Sequence, residues 1–150
     1  MRRITFSLVA VVALVGVVTY MVPHLDTPMA GGTPGAPLRE TVTVAADEPI
    51  PNLPGKRLVT HIVDYPPGVS SAPHRHAGSA FIYAYVLSGA IRSQVDDEPV
   101  RVYRPGETWF ERPGAHHRVS ANASDTEPAR LLAVLIVDAA DEQLVIPDPQ

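Results

Sequence analysis

Six histidines carry the chemistry that can be read directly from this 150-residue chain. His74 and His76 stand in Pro73-His74-Arg75-His76. A strand alternates its side chains between two faces, so both imidazoles point one way there and Arg75 the other. Two rings so placed can converge on one ion at about 2.0–2.1 Å. Further donors come in Pro113-Gly114-Ala115-His116-His117, after a Pro-Gly turn. Adjacent strand residues face opposite sides, so only one of His116 and His117 can join the pair. His61, on an apolar run, and His24, between prolines, read as surface or hydrogen-bonded polar residues. The chain has no cysteine, which excludes disulfides, thiolate zinc sites and cysteine nucleophiles. Any metal must then be held by histidine, with at most an added oxygen ligand. A net charge of −4 leaves no basic surface to neutralise phosphates, so no nucleic-acid partner is expected.

The elements that must position these rings are short. The chain has 16 prolines, about twice the usual share, which disfavours long helices. Apolar segments at Thr41–Val44, Leu58–Val63, Ala80–Leu87, Ile91–Val95, Val100–Tyr103, Thr108–Glu111, His116–Ser120 and Ala129–Val137 are separated by turn residues such as Pro66-Pro67-Gly68 and Pro105-Gly106. A short strand around His74 and His76 makes about nine, an all-β pattern expected to close as a small antiparallel barrel or sandwich. Tyr83, Tyr85, Tyr103, Trp109 and Phe110 are expected in its core and wall. Rings facing inward would line an apolar pocket suited to a small aromatic or lipid-like molecule.

The first residues are of another kind. Arg2 and Arg3 precede Ile4–Val22, 19 residues without a charge, and Pro23 ends the run. As an apolar helix rising about 1.5 Å per residue, it would just span a hydrocarbon core of about 30 Å. Residues 1–22 are read as a signal peptide or an uncleaved membrane anchor. Pro28 and Met29 ahead of Ala30 and Gly31 make a poor cleavage site. Either reading places the rest outside the cytoplasm, in the periplasm or beyond, and tethered to the membrane if the segment is uncleaved. Without the two arginines, 10 basic side chains face 16 acidic ones, a charge of −6. Residues 23–37, rich in Pro and Gly, read as a linker, and 38–150 as the folded domain.

These residues resemble the cupins, small double-stranded β-helix (jelly-roll) barrels in which two motifs bring three histidines and often a glutamate onto one metal. Gly68, His74, His76 and Gly89 fit the first motif with one extra residue between His76 and Gly89. Gly106, Gly114, His117 and Asn122 fit the second, with Arg112 where proline is expected, Pro113 beside it, and Asn122 one place late. The likeness covers residues 51–138. It implies a divalent transition metal (Fe, Mn, Cu, Ni or Zn) on His74, His76 and His117. His116 then faces outward or packs beneath the site.

The motif's glutamate position falls at Phe81 or Ile82, and neither can bind a metal. Some cupin dioxygenases are similar in using histidines alone. Candidates on strand parity for a fourth ligand are Gln94, Tyr83, Tyr85 and Glu111, and Glu111 could instead orient an imidazole from behind. The resemblance implies an exported metal-binding protein, a dioxygenase-like oxidoreductase acting on a small organic molecule. The alternatives are a non-catalytic binding or sensing module for a small ligand and a structural barrel with vestigial histidines. It also implies a homodimer, which the apolar strand Ala129–Val137 could serve.

Overall fold

A computed structural model describes residues 38–149. The segments read as signal or anchor and as linker lie outside the described residues. Ten strands follow in order: β1 (Thr41–Pro49), β2 (Lys56–Tyr65), β3 (His74–His76), β4 (Phe81–Ser88), β5 (Ile91–Val95), β6 (Arg101–Tyr103), β7 (Thr108–Glu111), β8 (His116–Asn122), β9 (Ala129–Asp138) and β10 (Val145–Pro147). Among the described residues there is no helix. The strands form two five-stranded antiparallel sheets, in the orders β1-β2-β9-β4-β7 and β10-β3-β8-β5-β6. This is the expected all-β double-stranded β-helix, with one strand, β10, beyond those expected.

The sheets face each other through alternate residues of each strand. On β2, Val59, Val63 and Tyr65 point inward; on β4, Ile82, Ala84 and Val86; on β9, Leu131, Leu135 and Val137. These join Ile91 and Trp109 in two buried apolar clusters. Burial of this surface, at about 25 cal/mol per Å2, is the main force holding the sheets together.

The inward parity of β4 corrects one expectation. Tyr83 and Tyr85 were candidates for the interior, but they share the outer face of β4 with Phe81, beside Phe110. All of Phe81–Leu87 is apolar or aromatic, so alternation alone does not say which face turns in. The smaller Ile82, Ala84 and Val86 do. Trp109 is buried with Tyr103 against it, ring centroids 4.6 Å apart, whereas Phe110 is 56% exposed.

Two loops fix the strands that carry the site. Gly89, between β4 and β5, has φ of +69°, and a Cβ there would lie 2.4 Å from the Pro128 carbonyl oxygen; only glycine fits. Asn122, at the end of β8, is buried. Its amide donates to the carbonyls of Tyr65, Pro66 and Glu127, and its oxygen accepts from Ser124 N–H. One side chain thus ties the exit of β8 to the exit of β2 and the approach to β9.

Candidate metal centre

β3 and β8 pair antiparallel with His74 directly opposite His117, and His76 lies two residues along β3 on the same face. One ligand atom from each imidazole lies within 4.8 Å of the other two. The ring centroids of His74 and His76 are 4.9 Å apart, and those of His74 and His117 are 5.2 Å apart. His116, opposite Arg75 in the register, points the other way, where its Nε2 meets Asp148 Oδ2 at 2.8 Å. That settles which of the adjacent pair joins the cluster.

The ring orientations are set by hydrogen bonds from behind. A carbonyl only accepts, so His74 Nδ1–H donates to Ala72 O at 2.8 Å and His76 Nδ1–H donates to Leu144 O at 3.1 Å. In a neutral ring that leaves Nε2 with a lone pair and no proton. Leu144 O belongs to the approach to β10, so the unexpected last strand serves the site by orienting His76. His117 turns Nε2 to Ser93 Oγ at 2.9 Å. Burial pushes the His117 pKa down to about 4 and lowers that of His74 as well. At neutral pH these imidazoles are uncharged, the form that binds metals.

Glu111 comes from the other sheet. It ends β7 and lies directly opposite Ile82 of β4, so its carboxylate enters from the strand next to the position where the resemblance expects a glutamate. The side chain is 2% exposed. Oε1 accepts from Trp109 Nε1–H at 3.1 Å and lies 3.3 Å from His117 Nδ1; Oε2 lies 3.3 Å from His76 Nε2 and has no hydrogen-bond partner. Burial raises the carboxyl pKa, but the imidazoles of His76 and His117 and the Trp109 indole outweigh it and hold the pKa below its ordinary value. Where His76 carries only the Nδ1 proton, its Nε2 and Glu111 Oε2 face each other as two acceptors in a buried place; protonated at Nε2 as well, it donates to Oε2, the arrangement that lowers the Glu111 pKa. Two acceptors repel unless a cation or a proton stands between them. Ligands about 2.1 Å from one ion are separated by roughly 3.0–3.4 Å in octahedral or tetrahedral arrangements. The two 3.3 Å contacts, one to each oxygen of Glu111, fall in that range, and the three imidazole donors, within 4.8 Å of one another, form a set compatible with a divalent metal that does not include Glu111.

The other candidates do not reach the cluster. Gln94 lies on the opposite face of β5, its amide donating to Glu98 O, and the neighbouring Ser93 is the residue that faces His117. Tyr83 and Tyr85 lie on the outer face. His61, read from the sequence as a surface or hydrogen-bonded residue, instead lines the cavity above the histidines. Its position between the inward-facing Val59 and Val63 was the signal that could have found it.

That cavity, about 780 Å3 including its open mouth, has walls of Val63, Ile82, Leu131 and Leu135 and, among the described residues, no lysine or arginine in its lining. Its polar groups besides the histidine cluster and Glu111 include His61, Glu40 and a hydroxyl cluster in which Tyr65 Oη meets Ser71 Oγ at 2.9 Å and Ser120 Oγ at 2.8 Å.

Residues 61–135, half of the chain, match the family described as Cupin domain. The cupin-domain-containing oxidoreductase fogC of Aspergillus ruber is 32% identical over 78 residues, which cover 52% of this chain and 37% of that protein. The chain spans less than half the length of the curated relatives it matches. Among solved structures, an uncharacterized conserved protein with a double-stranded beta-helix domain from Klebsiella pneumoniae aligns with a TM-score of 0.57 at 16% identity, over 79% of this chain and 90% of that one. A Cupin 2 conserved barrel domain protein from Salinispora arenicola aligns with a TM-score of 0.51 at 24% identity, over 67% and 77%. Both likenesses concern the fold.

Proposed function

The chain belongs to the cupin domain family, and from that premise we propose that it is a metal-dependent oxidoreductase of the dioxygenase type acting on a small, uncharged organic molecule. The observation that carries the reading is the convergence of the His74, His76 and His117 donor atoms within 4.8 Å, backed by the unpartnered Glu111 Oε2. When bound, a divalent transition metal would supply Lewis acidity and, for a redox-active ion, a route for electrons between substrate and dioxygen. The chain's own residues do the rest. Ala72 and Leu144 carbonyls hold two imidazoles with Nε2 free, Ser93 orients the third, and Glu111 adds one negative charge that offsets one of the ion's two positive ones. The apolar walls exclude water and receive a hydrocarbon skeleton. The lining holds no lysine or arginine among the described residues, which disfavours carboxylate and phosphate substrates, since these would find no counter-ion there beyond a bound metal. Tyr65 Oη or His61 is placed to meet a substrate hydroxyl or carbonyl. The likeness to fogC, a cupin-domain-containing oxidoreductase, supports the same reaction class.

The experiment is metal analysis of the purified full chain beside oxygen uptake with phenols, thiols and diketones. We expect about one metal per chain, loss of it in His117→Ala, and oxygen consumption with an uncharged member of the panel. A wild-type chain without stoichiometric metal after exposure to each candidate ion would overturn the proposal. Ile82, an apolar side chain where the motif has its glutamate, favours a second reading as a non-catalytic binding or sensing module. Metal binding and a ligand-induced rise in melting temperature without oxygen uptake would select it. The run Ile4–Val22 after two arginines supports export, with the barrel in the periplasm or another extracytoplasmic space. An alkaline phosphatase fusion at the C-terminus, active only outside the cytoplasm, tests that.

A further inference from the structure

The two sheets part along one side. β7 is the edge of the first sheet and β6 the edge of the second, and the two do not pair with each other. Between them runs a groove of about 860 Å3, its open side included, with Arg101 and Tyr103 of β6 on one flank and Trp109 and Phe110 of β7 on the other. Trp109 is buried and Phe110 exposed, so the groove wraps the β7 edge and touches residues of both its faces. Much of its surface is aromatic. Tyr103 lies against Trp109, and Phe81, also in the lining, stacks on Phe110 with ring centroids 5.7 Å apart. The charges on its rim are Arg101, Arg112 and Glu98, so two guanidiniums against one carboxylate leave one positive charge over in a chain whose net charge is −4. Elsewhere Lys56, Arg57, Arg118 and Arg130 are salt-bridged to aspartates, whereas among the described residues neither Arg101 nor Arg112 has an ion-pair partner.

We propose that this groove is a second small-molecule site, one that takes an aromatic carboxylate. Charge and surface together choose the occupant. A guanidinium is flat, always charged, and meets a carboxylate with two parallel N–H donors. The rings of Tyr103, Phe81 and Phe110 receive a further ring in an offset or edge-on arrangement. An acid without a ring would leave that apolar surface wet, and a ring without an acid would leave the guanidiniums unmatched. A single excess positive charge suits one carboxylate rather than a phosphate chain. The cavity above the histidines has the opposite character, with no lysine or arginine in its lining among the described residues, so the two sites sort ligands by charge. None of the groove residues is an imidazole donor of the cluster, and binding here needs no metal.

Trp109 is the one tryptophan of the chain, so indole fluorescence reports on the groove without a label. The test titrates the full chain, in a mild non-ionic detergent, with phenylacetate, and with phenylacetamide and acetate as its uncharged and ringless counterparts. Fluorescence is read beside saturation-transfer NMR of the ligand's own protons, which does not depend on the indole. Phenylacetate should bind with a Kd of about 1 mM, the range for a ligand of about ten heavy atoms. Phenylacetamide and acetate should bind about 10-fold more weakly or worse. Arg101→Gln and Arg112→Gln, both at exposed positions, should each weaken phenylacetate about 10-fold with circular dichroism unchanged. Trp109 also lies 6.2 Å from His117 by ring centroid, so a carboxylate bound at the histidines would be seen too. Binding in the groove survives both a chelator and His117→Ala, and loss of binding in either case overturns the proposal. So does the lack of both signals with phenylacetate at about 10 mM, some ten times the expected Kd. Phenylacetamide binding as well as phenylacetate, or wild-type affinity in the double variant Arg101→Gln/Arg112→Gln, overturns it as well.

Discussion

At Glu111 a single side chain decides what kind of centre this is. Its carboxylate stands within 3.3 Å of nitrogens on His76 and His117, placed either to join a metal that the histidines would hold or to fix their rings. Glu111→Gln keeps the shape and removes the charge, and we expect metal affinity to fall about 10- to 100-fold, read by competition with a chromophoric chelator. Glu111 was legible by parity, because the strand before the Pro-Gly turn puts Trp109 and Glu111 on one face. Gln94, Tyr83 and Tyr85 were chosen by the same rule on strands whose two faces look alike in sequence, and there the rule had nothing to hold. Ser93 gave no signal until its buried neighbours Ile91 and Ser120 showed which face of β5 turned in.

Tyr65 gives a prediction at the same scale. Burial raises its pKa above the ordinary value of 10.0, against the opposing hydrogen bonds from Ser120 and Ser71. The unfolded chain therefore ionises first as pH climbs, and Tyr65 contributes stability that is whole below pH 10 and is lost as pH rises through the folded value. Urea melts between pH 8 and 11 should show an alkaline loss that Tyr65→Phe reduces. Below pH 10 the variant should be about 1–2 kcal/mol less stable, through the hydroxyl contacts it gives up.

The loops between strands show how an element's position depends on one residue. Gly89 and Gly114 both have positive φ, +69° and +77°, but only Gly89 is crowded: an added Cβ there meets Pro128 O and Ala129 Cα, whereas nothing lies within 4 Å at Gly114. Gly114→Ala should cost only the left-handed conformation, about 1 kcal/mol. Gly89→Ala adds a backbone clash and should cost about 3 kcal/mol or more, the difference being measured by urea unfolding of the two variants. Most strands were legible because Pro-Gly turns and Asp96-Asp97-Glu98-Pro99 cut the apolar pattern at close intervals. β10 was not, since Val145-Ile146-Pro147 is three residues long and ends in proline. It is a strand because β3 offers an unpaired edge, with Val145 opposite His76 and Pro147 opposite His74. That is a tertiary reason, and no local propensity reports it.

Across the whole molecule the centre joins the two sheets. His74, His76 and His117 belong to the second sheet and Glu111 to the first, so a metal bound by all four would tie the layers together, and its binding free energy would become folding free energy. At a free metal concentration 100 times the dissociation constant this amounts to about 2.7 kcal/mol, which for a barrel of this size is a shift in melting temperature of roughly 10 °C. We expect removal of the metal by a chelator to lower the melting temperature of the wild type by that amount and to leave His117→Ala unchanged. Glu111→Gln separates two ways of holding the ion. If the carboxylate contributes to binding, a 10- to 100-fold weaker site at the same metal concentration retains about 1.4 kcal/mol or less, and the shift shrinks to roughly 5 °C or below. If Glu111 neither binds the ion nor orients its ligands, the variant keeps the full shift, and the two sheets are joined by their apolar cores without help from the centre.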